Sequence, residues 1–363
     1  WLLDLQMEGM KFSADMASLY ATECNIPLEL KNRIVDEHIE FFKDEKNRTK
    51  LANIVRPRMS GAEIISTMLA VAANTTLATY DQLTYILADE CINEKTDTLD
   101  RLEKYNLLST YWEMAEQAFG YDKNRQVKDL VIVLFKDELA SIIDNGSLTN
   151  EAHIFMRDWR DSRQFGAMYK QWAEMLEVEL GVMQQIQDEP IERLVRVETF
   201  PCVDKVIAKY LHKEVKNETI TTEKVESIVD DRRNKIFFGV AQHTINAMLE
   251  ARRLFEDIEK KMAGLSITSA DEGFKMYVND LYIIDQHYRH FFHEAKLAES
   301  TNLVNDIIPK VEQTYTNKFL SVLANKWQPV VDAMDKWQIT GVSTQRSFFC
   351  THVSPFIQKG KRI

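Results

Sequence analysis

The chain has 363 residues, of which 45% are hydrophobic and 28% are charged, and its formal net charge is −11. This length is sufficient for a large buried core and suggests about two domains. The acidic balance argues against a general nucleic-acid-binding surface, and the longest strongly apolar run, Leu130–Phe135, is too short to span a bilayer.

The four cysteines, at positions 24, 91, 202 and 350, are widely spaced and form no Cys-x-x-Cys motif. Such spacing is typical of reduced thiols in a cytosol and disfavours a disulfide framework or a zinc site. No secretory signal segment is visible in the sequence. We therefore expect a soluble cytoplasmic protein without membrane association.

Glycine and proline are scarce, with 11 and 7 residues respectively, which predicts long uninterrupted helices and disfavours architectures built from strands and tight turns. We predict an all-α fold, a multi-helix bundle-like array in two helical subdomains with a short extended C-terminal segment. The predicted divisions are 1–200 for the first subdomain, 201–340 for the second, which has long antiparallel helices, and 341–363 for a linker.

Helical periodicity and helix-start signals divide the first subdomain into helices. Ser60 and Glu63 have the spacing of a capping box, in which the hydroxyl and the carboxylate satisfy backbone N–H groups at a helix start. The segment 126–143 fits a helix or a buried strand, because Leu130–Phe135 is apolar throughout; charges at helical spacing on its flanks favour a helix that stops at Asn145-Gly146. The other predicted helices are Trp1–Cys24, Pro27 into the charged stretch 43–50, Ser60–Ala73, Tyr80–Asp89, Asp97–Gly120, and Asn150–Val182 with a bend near Gly166.

The second subdomain has a clearer helical pattern. Ser269 and Glu272 form a second predicted capping box, and a heptad-like apolar seam then runs from Phe274 to Ala295. The other predicted helices are Pro201–Val215, Thr222–Met262 as one helix or two in line, Thr301–Lys326 with a kink at Pro309, and a short helix from Pro329 to Trp337.

Both ends of the chain suggest a piece of a longer protein. Gln345–Ile363 is rich in β-branched and aromatic residues and carries four basic residues and no acidic one, which predicts an extended segment leading into the first strand of another domain. The chain begins at Trp1 without an initiator methionine and is already in amphipathic register.

The densest group of titratable residues is Asp285-x-His287-x-x-His290-x-x-His293-Glu294. Each three-residue step turns a helix by about 300°, so the three imidazoles cannot all face one metal ion. His290 and Glu294 are neighbours one turn apart, so His287, His290 and Glu294 are the candidate metal ligands. The alternative is a solvated or subunit-facing helix surface. No catalytic or cofactor-binding residue is assigned, since no nucleotide-binding glycine motif and no His-Glu-x-x-His motif occurs.

Basic and aromatic clusters leave two interpretations open. Arg56–Arg58, Arg232–Lys235 and Arg252-Arg253 either contact phosphates or lie on solvated helix faces with nearby acidic partners. The numerous tryptophans, tyrosines and phenylalanines fit core packing between helices or, alternatively, a groove for a partner. Helical periodicity does not separate these two possibilities.

Several short motifs, in this order along the chain, together resemble the PglZ proteins of type-1 BREX phage-defence systems in bacteria. The resemblance spans essentially the whole chain. The motifs are Trp1-Leu-Leu-Asp-Leu-Gln with Phe12-Ser-Ala-Asp15, Asp230-Asp-Arg-Arg-Asn-Lys-Ile236, Gly273-Phe-Lys-Met-Tyr277, Tyr282-x-x-Asp285-Gln-x-Tyr288-Arg289, Tyr315-Thr-Asn-Lys-Phe319-Leu, and Phe348-Phe349 with Val353-x-Pro355 and Lys361-Arg-Ile.

The resemblance implies that a helical region such as this one precedes an alkaline-phosphatase-superfamily domain. In such domains divalent metals, typically zinc, are held by Asp and His and activate attack on a phosphate ester. None of those ligands falls within residues 1–363, so no metal or cofactor is expected in this chain, which alone is not expected to be an enzyme. The family's N-terminal domain is also expected to lie ahead of Trp1.

The expected function is that of a scaffold that positions the phosphatase domain and docks other BREX components, such as the ATPase and the methyltransferase. A stand-alone all-α adaptor for protein partners is the alternative. A helical nucleic-acid-binding domain is a second alternative, which the net charge of −11 opposes.

Overall fold

The computed structural model describes residues 9–74, 80–144, 150–336, 338–342 and 345–358. Every regular element in these ranges is helical, and no β-strand occurs among them, so the predicted all-α class is confirmed. Within the same ranges, no helix combines the length and the apolar character that crossing a membrane requires. Residues 1–8 of the first predicted helix, the predicted stop at Asn145-Gly146 and the predicted helix end at Trp337 lie outside the described residues.

The chain divides into two compact units, Trp1–Gln185 and Ile186–Ile363. The described α-helices of the first unit, together with the short helix at its end, are α1 Gly9–Glu23, α2 Ile39–Lys43, α3 Glu45–Ile54, α4 Gly61–Ala72, α5 Tyr80–Ile92, α6 Asp97–Lys104, α7 Leu108–Phe119, α8 Val127–Asp144, α9 Asn150–Asp161, α10 Gly166–Glu179 and α11 Val182–Ile186. Those of the second unit are α12 Ile191–Leu194, α13 Cys202–Asn217, α14 Thr222–Arg233, α15 Gln242–Met262, α16 Ala270–Met276, α17 Tyr282–Leu297, α18 Thr301–Gln313, α19 Ser321–Asp332, α20 Gln345–Phe348 and α21 Ser354–Gln358.

An aromatic cluster forms the centre of the first unit. Trp159 is fully buried and stacks on Tyr85 with ring centroids 5.4 Å apart, and Phe155 packs 4.8 Å from the same tyrosine. The Tyr85 hydroxyl donates to the Phe155 carbonyl at 3.1 Å, and the Trp172 indole N–H donates to the Ala88 carbonyl at 3.3 Å. The aromatic residues here are therefore core residues; backbone carbonyls satisfy the polar atoms of Tyr85 and Trp172, whereas the buried Trp159 indole N–H has no hydrogen-bond partner among the described residues.

Several segments predicted as one helix are interrupted. The segment 97–120 breaks after α6, where Asn106 has φ 56°, and 150–182 breaks before Gly166. A Cβ on Gly166 would lie 2.8 Å from the Arg160 carbonyl oxygen, so the chain reverses too tightly there for any side chain. The predicted bend near Gly166 is thus a complete break. Amphipathic periodicity continues across such short turns, which is why it does not locate them.

Other boundaries also differ from the sequence pattern. Pro27 precedes a 3₁₀ turn and a π-helical segment, and the two short helices α2 and α3 follow in place of one continuous helix. Of the two possibilities for 222–262, one helix or two in line, the structure has two helices, α14 and α15, and these pack against each other. Pro329 lies inside α19, so the prediction that it starts a helix is wrong.

The predicted extended C-terminal segment is wrong for residues 345–358, which are helical throughout. No strand is present among the described residues to pair with this segment, and an isolated strand leaves its backbone groups without partners. A helix satisfies these groups within itself, and Pro355, which has no N–H to donate, lies in α21, which directly follows the π-helical turn Phe349–Val353. Residues 343–344 and 359–363 of the segment lie outside the described residues.

The first predicted capping box is confirmed at the start of α4. The Ser60 Oγ accepts from the Glu63 N–H at 3.3 Å, and the Glu63 carboxylate accepts from the Ser60 N–H at 2.7 Å. These hydrogen bonds from the Ser60 backbone and side chain lower the pKa of Glu63. At the second box Ser269 caps α16, but the Glu272 carboxylate accepts from the Thr268 N–H at 2.8 Å, so only half of that box is formed.

We expect the Ser60→Ala variant to lose about 1 kcal/mol of the free energy of unfolding, because the Glu63 N–H loses its acceptor at the helix start. Urea denaturation followed by circular dichroism measures the loss. Ser66→Ala, in the interior of the same helix, is the matched control, since alanine is the better helix former there. An equal loss in the two variants would contradict the capping role.

Candidate functional site

The candidate metal ligands lie where α15 and α17 pack along each other in the second unit. The His287 Nδ1 lies 2.7 Å from Glu250 Oε2, and its Nε2 lies 3.4 Å from Asp257 Oδ2. Glu250 is 8% exposed. His287 thus bridges two carboxylates of α15 and joins the two helices.

His290 and Glu294 face different partners. His290 is exposed, with its Nδ1 3.8 Å from Glu250 Oε2, whereas Glu294 Oε2 lies 2.8 Å from His243 Nδ1. Among the described residues, no three His, Cys, Asp or Glu side chains come together in an arrangement that could hold a metal ion. The structure therefore brings His287 close to acidic residues of the neighbouring helix and does not gather His287, His290 and Glu294 around one point.

The N-terminus of α15 is capped by a residue distant in the sequence. The Glu299 carboxylate accepts from the His243 N–H at 3.2 Å, the Thr244 N–H at 3.1 Å and the Thr244 hydroxyl at 3.0 Å. The Ser300 N–H in turn donates to Thr244 Oγ1 at 3.0 Å. A carboxylate at this position satisfies orphan N–H groups and complements the helix dipole. The sequence contains no local signal for this cap.

The residues of the two basic clusters in the second unit contact groups of the unit itself. Arg253 connects Glu250, at 2.9 Å, with Glu226 of α14, at 2.6 Å, and the Arg252 Nε donates to the Ile220 carbonyl at 2.6 Å. In the other cluster, Lys235 pairs with Glu198 and Arg233 lies 3.5 Å from Asp230. These contacts favour a structural role for the two clusters over contact with phosphates.

Arg232 fits neither interpretation of its cluster, since it is buried at 1% exposure. Its guanidinium makes a bidentate contact with the fully buried Asp204 carboxylate, with Nε–Oδ1 2.8 Å and Nη2–Oδ2 2.7 Å. The Nη1 group donates to the carbonyls of Val195 and Val197. This pair therefore fastens α13, α14 and the segment after α12 together. Because Arg232 stands among other charged residues, its sequence context did not indicate that it is buried.

The environment of Glu250 makes a pH-dependent contribution to stability. Burial raises the pKa of this carboxyl, but the hydrogen bond from His287 and the charges of His287 and Arg253 outweigh burial and hold the pKa below its ordinary value of 4.5. A carboxyl with a lowered folded-state pKa stabilises the fold above pH 4.5, and this contribution is lost as the pH falls through the lowered pKa.

For Glu250→Gln we expect a lower free energy of unfolding than for the wild type at pH 7 and a smaller difference between the two proteins below pH 4.5. Urea denaturation at a series of pH values measures both. Glu259→Gln places the same substitution on the exposed face of α15 and serves as the control. A loss of equal size and equal pH dependence in the control would refute the role assigned to the Glu250 pairs.

A second cluster joins α17 to two π-helical segments. The hydroxyls of Tyr277 and Tyr315, from the segments Tyr277–Leu281 and Thr314–Leu320, both donate to the Asp285 carboxylate. Tyr288 stacks on Tyr315 with centroids 3.9 Å apart. The hydrogen bond to Asp285, together with burial, raises the pKa of Tyr277. The tyrosine therefore stays protonated and remains a donor at neutral pH.

An apolar groove opens between α16 and α19. Its cavity volume is about 330 Å³, and the residues that line it, referred to below as the groove residues, are Gly273, Phe274, Tyr277, Leu320, Leu323, Ala324 and Trp327. Gly273 is buried against the Trp327 ring: a Cβ at this position would lie 2.4 Å from Trp327 Cζ3. The groove has no polar cluster suited to catalysis among its lining residues. Its chemistry is that of an apolar binding surface.

The fold and the candidate sites define an all-α protein whose charged side chains join helices to one another and whose second unit exposes an apolar groove. Comparison with curated proteins gives two matches that cover the chain. It is 22% identical to the alkaline phosphatase-like protein PglZ of Bacillus cereus (strain H3081.97) over 100% of this chain. It is 25% identical to the alkaline phosphatase-like protein BrxZ of Escherichia coli O9:H4 (strain HS) over 99% of this chain. The resemblance to PglZ proteins is thus confirmed.

The matches leave a large part of each relative uncovered. The chain spans 44% of the length of the Bacillus protein and 45% of the length of the Escherichia protein. No protein-family model matches the sequence, and no solved structure matches it.

Proposed function

We propose that the chain is the helical scaffold and docking region of a PglZ-like protein from a bacterial BREX anti-phage defence system. The observation that carries this proposal is the similarity of the whole chain to less than half of two alkaline phosphatase-like proteins. The metal-dependent hydrolase chemistry implied by their printed names is then assigned to a further domain, in which zinc or another divalent metal activates attack on a phosphate ester.

The contacts of the second unit support a positioning role. Helices α14, α15 and α17 are connected by buried or half-buried ion pairs, among them Glu250 with His287 and Arg253. Such networks, once every member is satisfied, hold elements in one arrangement. A rigid helical body of this kind suits a region that presents a catalytic domain and binds partners. As proposed partners we name the ATPase and the methyltransferase of the same system, in the cytoplasm.

The first test is the gene sequence beyond Ile363 together with hydrolase assays. We expect an Asp-rich strand motif of the alkaline-phosphatase type there, and its absence would refute the PglZ-like assignment. For residues 1–363 we expect no phosphatase turnover with added zinc. Metal-dependent turnover that disappears in a His287→Ala/His290→Ala double variant would contradict this assignment of the chemistry.

Co-purification tests the docking role. The full-length protein, carrying an affinity tag, is expected to retain the ATPase or the methyltransferase of its system from cells that express all three. A protein that retains neither, while its phosphatase-like part is present and active, would remove the docking role and leave the assignment of the chemistry untouched.

A further inference from the structure

The groove between α16 and α19 has the form of an acceptor for apolar side chains. Leu320, Leu323 and Trp327 follow one another at helical spacing and form one wall, and Phe274 and Tyr277 form the other. Tyr277 and Leu320 are 37% and 41% exposed. An apolar partner that fills the groove removes this surface from water, which stabilises a complex.

The groove is preformed. Gly273 packs directly against the Trp327 ring and so fixes the distance between α16 and α19. The Tyr277 hydroxyl is held by Asp285, which sets the direction of the other wall. A surface that is already ordered loses little conformational entropy on binding.

A second exposed apolar surface lies in the helical segment 345–358. Phe348, Phe349, Phe356 and Ile357 of the segment 345–358 are each 50–56% exposed. The Thr340 N–H donates to Asp271 Oδ1 at 2.9 Å, which holds the chain ahead of this segment against the first turn of α16. The chain is thus held on α16 as far as Thr340.

We propose that the groove binds the alkaline phosphatase-like part of the same polypeptide; this inference rests on the proposed function above. The two relatives are more than twice as long as the part that matches this chain, which leaves room in each of them for a phosphatase-like part. A covalent tether supplies a high effective concentration, so a groove of about 330 Å³ suffices to hold the two parts together.

The surface also defines the chemistry of its partner. The groove residues are apolar or aromatic, so the partner presents apolar anchor side chains. A phosphate-rich ligand is disfavoured, because the groove itself offers no cation.

Lysine cross-linking of the full-length protein, read by mass spectrometry, tests the inference. Lys275 of α16 and Lys326 of α19 are exposed beside the groove. We expect intramolecular cross-links from these two lysines to the phosphatase-like part. In a Leu323→Asp variant, their yield is expected to fall about tenfold, because a buried unpaired carboxylate opposes an apolar contact.

Two further variants keep the test decisive. Leu320→Asp changes a side chain that is 41% exposed, so the fold tolerates it and the same loss of cross-links is expected. Val178→Asp makes the matched change at a residue of the first unit that is 78% exposed, and no loss is expected there. Circular dichroism and thermal melting verify that each variant is folded.

The outcomes separate the inference from the proposed function. Unchanged cross-links in the folded Leu323→Asp and Leu320→Asp variants would overturn the inference. The proposed function would stand, because the full-length protein would still contain a phosphatase-like part. Cross-links found only between copies, in a mixture of ¹⁴N- and ¹⁵N-labelled protein, would overturn it in favour of a second copy as the occupant. A full-length polypeptide without a phosphatase-like sequence would overturn the proposed function first, before any cross-link is measured.

Discussion

Replacing Arg232 by methionine is expected to lower the free energy of unfolding by about 3–5 kcal/mol. Arg232 and Asp204 are 1% and 0% exposed, and two hydrogen bonds of 2.8 and 2.7 Å join them. Removal of the guanidinium leaves the Asp204 carboxylate buried without its cation and leaves the Val195 and Val197 carbonyls without their donor. The cost of the substitution is therefore mostly the cost of an uncompensated buried charge.

Urea denaturation of the single and double variants distinguishes the pair from simple packing. The double variant Asp204→Leu/Arg232→Met removes both charges and is expected to lose less stability than Arg232→Met, because no unpaired carboxylate remains. Arg233→Met is the matched control: Arg233 is exposed and lies 3.5 Å from Asp230, so the expected change is within about 0.5 kcal/mol. If the double variant loses more free energy of unfolding than the sum of the losses in the two single variants, the coupling is refuted.

Replacing Gly273 by alanine is expected to cost about 1–3 kcal/mol, since overpacking forces neighbouring groups to move. The added Cβ would lie 2.4 Å from Trp327 Cζ3 and 2.8 Å from Ile267 Cγ2. The rigid indole has no flexible end that can turn aside, so α16 and α19 must separate. Chemical denaturation measures the loss, and the fluorescence of Trp327 contributes a signal at the site itself.

A second substitution, at position 327, tests whether the contact with Trp327 causes the loss of stability. In the background of Trp327→Leu, Gly273→Ala is expected to cost less than in the wild type, which gives a coupling energy of about 0.5–3 kcal/mol. Gly239→Ala is the control, because a Cβ there meets no heavy atom within 4 Å. The absence of coupling between positions 273 and 327 would show that Gly273 acts through its backbone and not through this contact.

Local chemistry made a large part of the fold predictable. The scarcity of glycine and proline indicated helices, and helix α8 was identified correctly against the alternative of a buried strand because charged residues on its flanks keep helical spacing. The box at Ser60 and Glu63 was also predictable, since both partners lie within one turn of each other. Each of these features depends on residues that are close together in the chain.

Features that depend on distant residues were not predictable in this way. Arg232 reads as a surface cation in its run of charges, yet it meets Asp204, which is 28 residues away, in the core. The cap of α15 by Glu299 spans 55 residues in the same manner. His287, His290 and Glu294 share one helix, but the partner helix α15 decides which acidic or basic group each of them faces.

For the candidate docking surface, too, some features were predictable from the sequence and others were not. The order of short motifs indicated the PglZ resemblance, but the predicted helix 301–326 stopped one residue before Trp327, which the structure places inside α19. The composition of residues 345–358 suggested a strand, but without a strand partner among the described residues the backbone satisfies itself as a helix. Local composition therefore determined the helical class, because helix hydrogen bonds and caps join near neighbours. The helix breaks, the buried Arg232–Asp204 pair and the groove depend on the tertiary structure, because each arises where segments from different parts of the chain pack together.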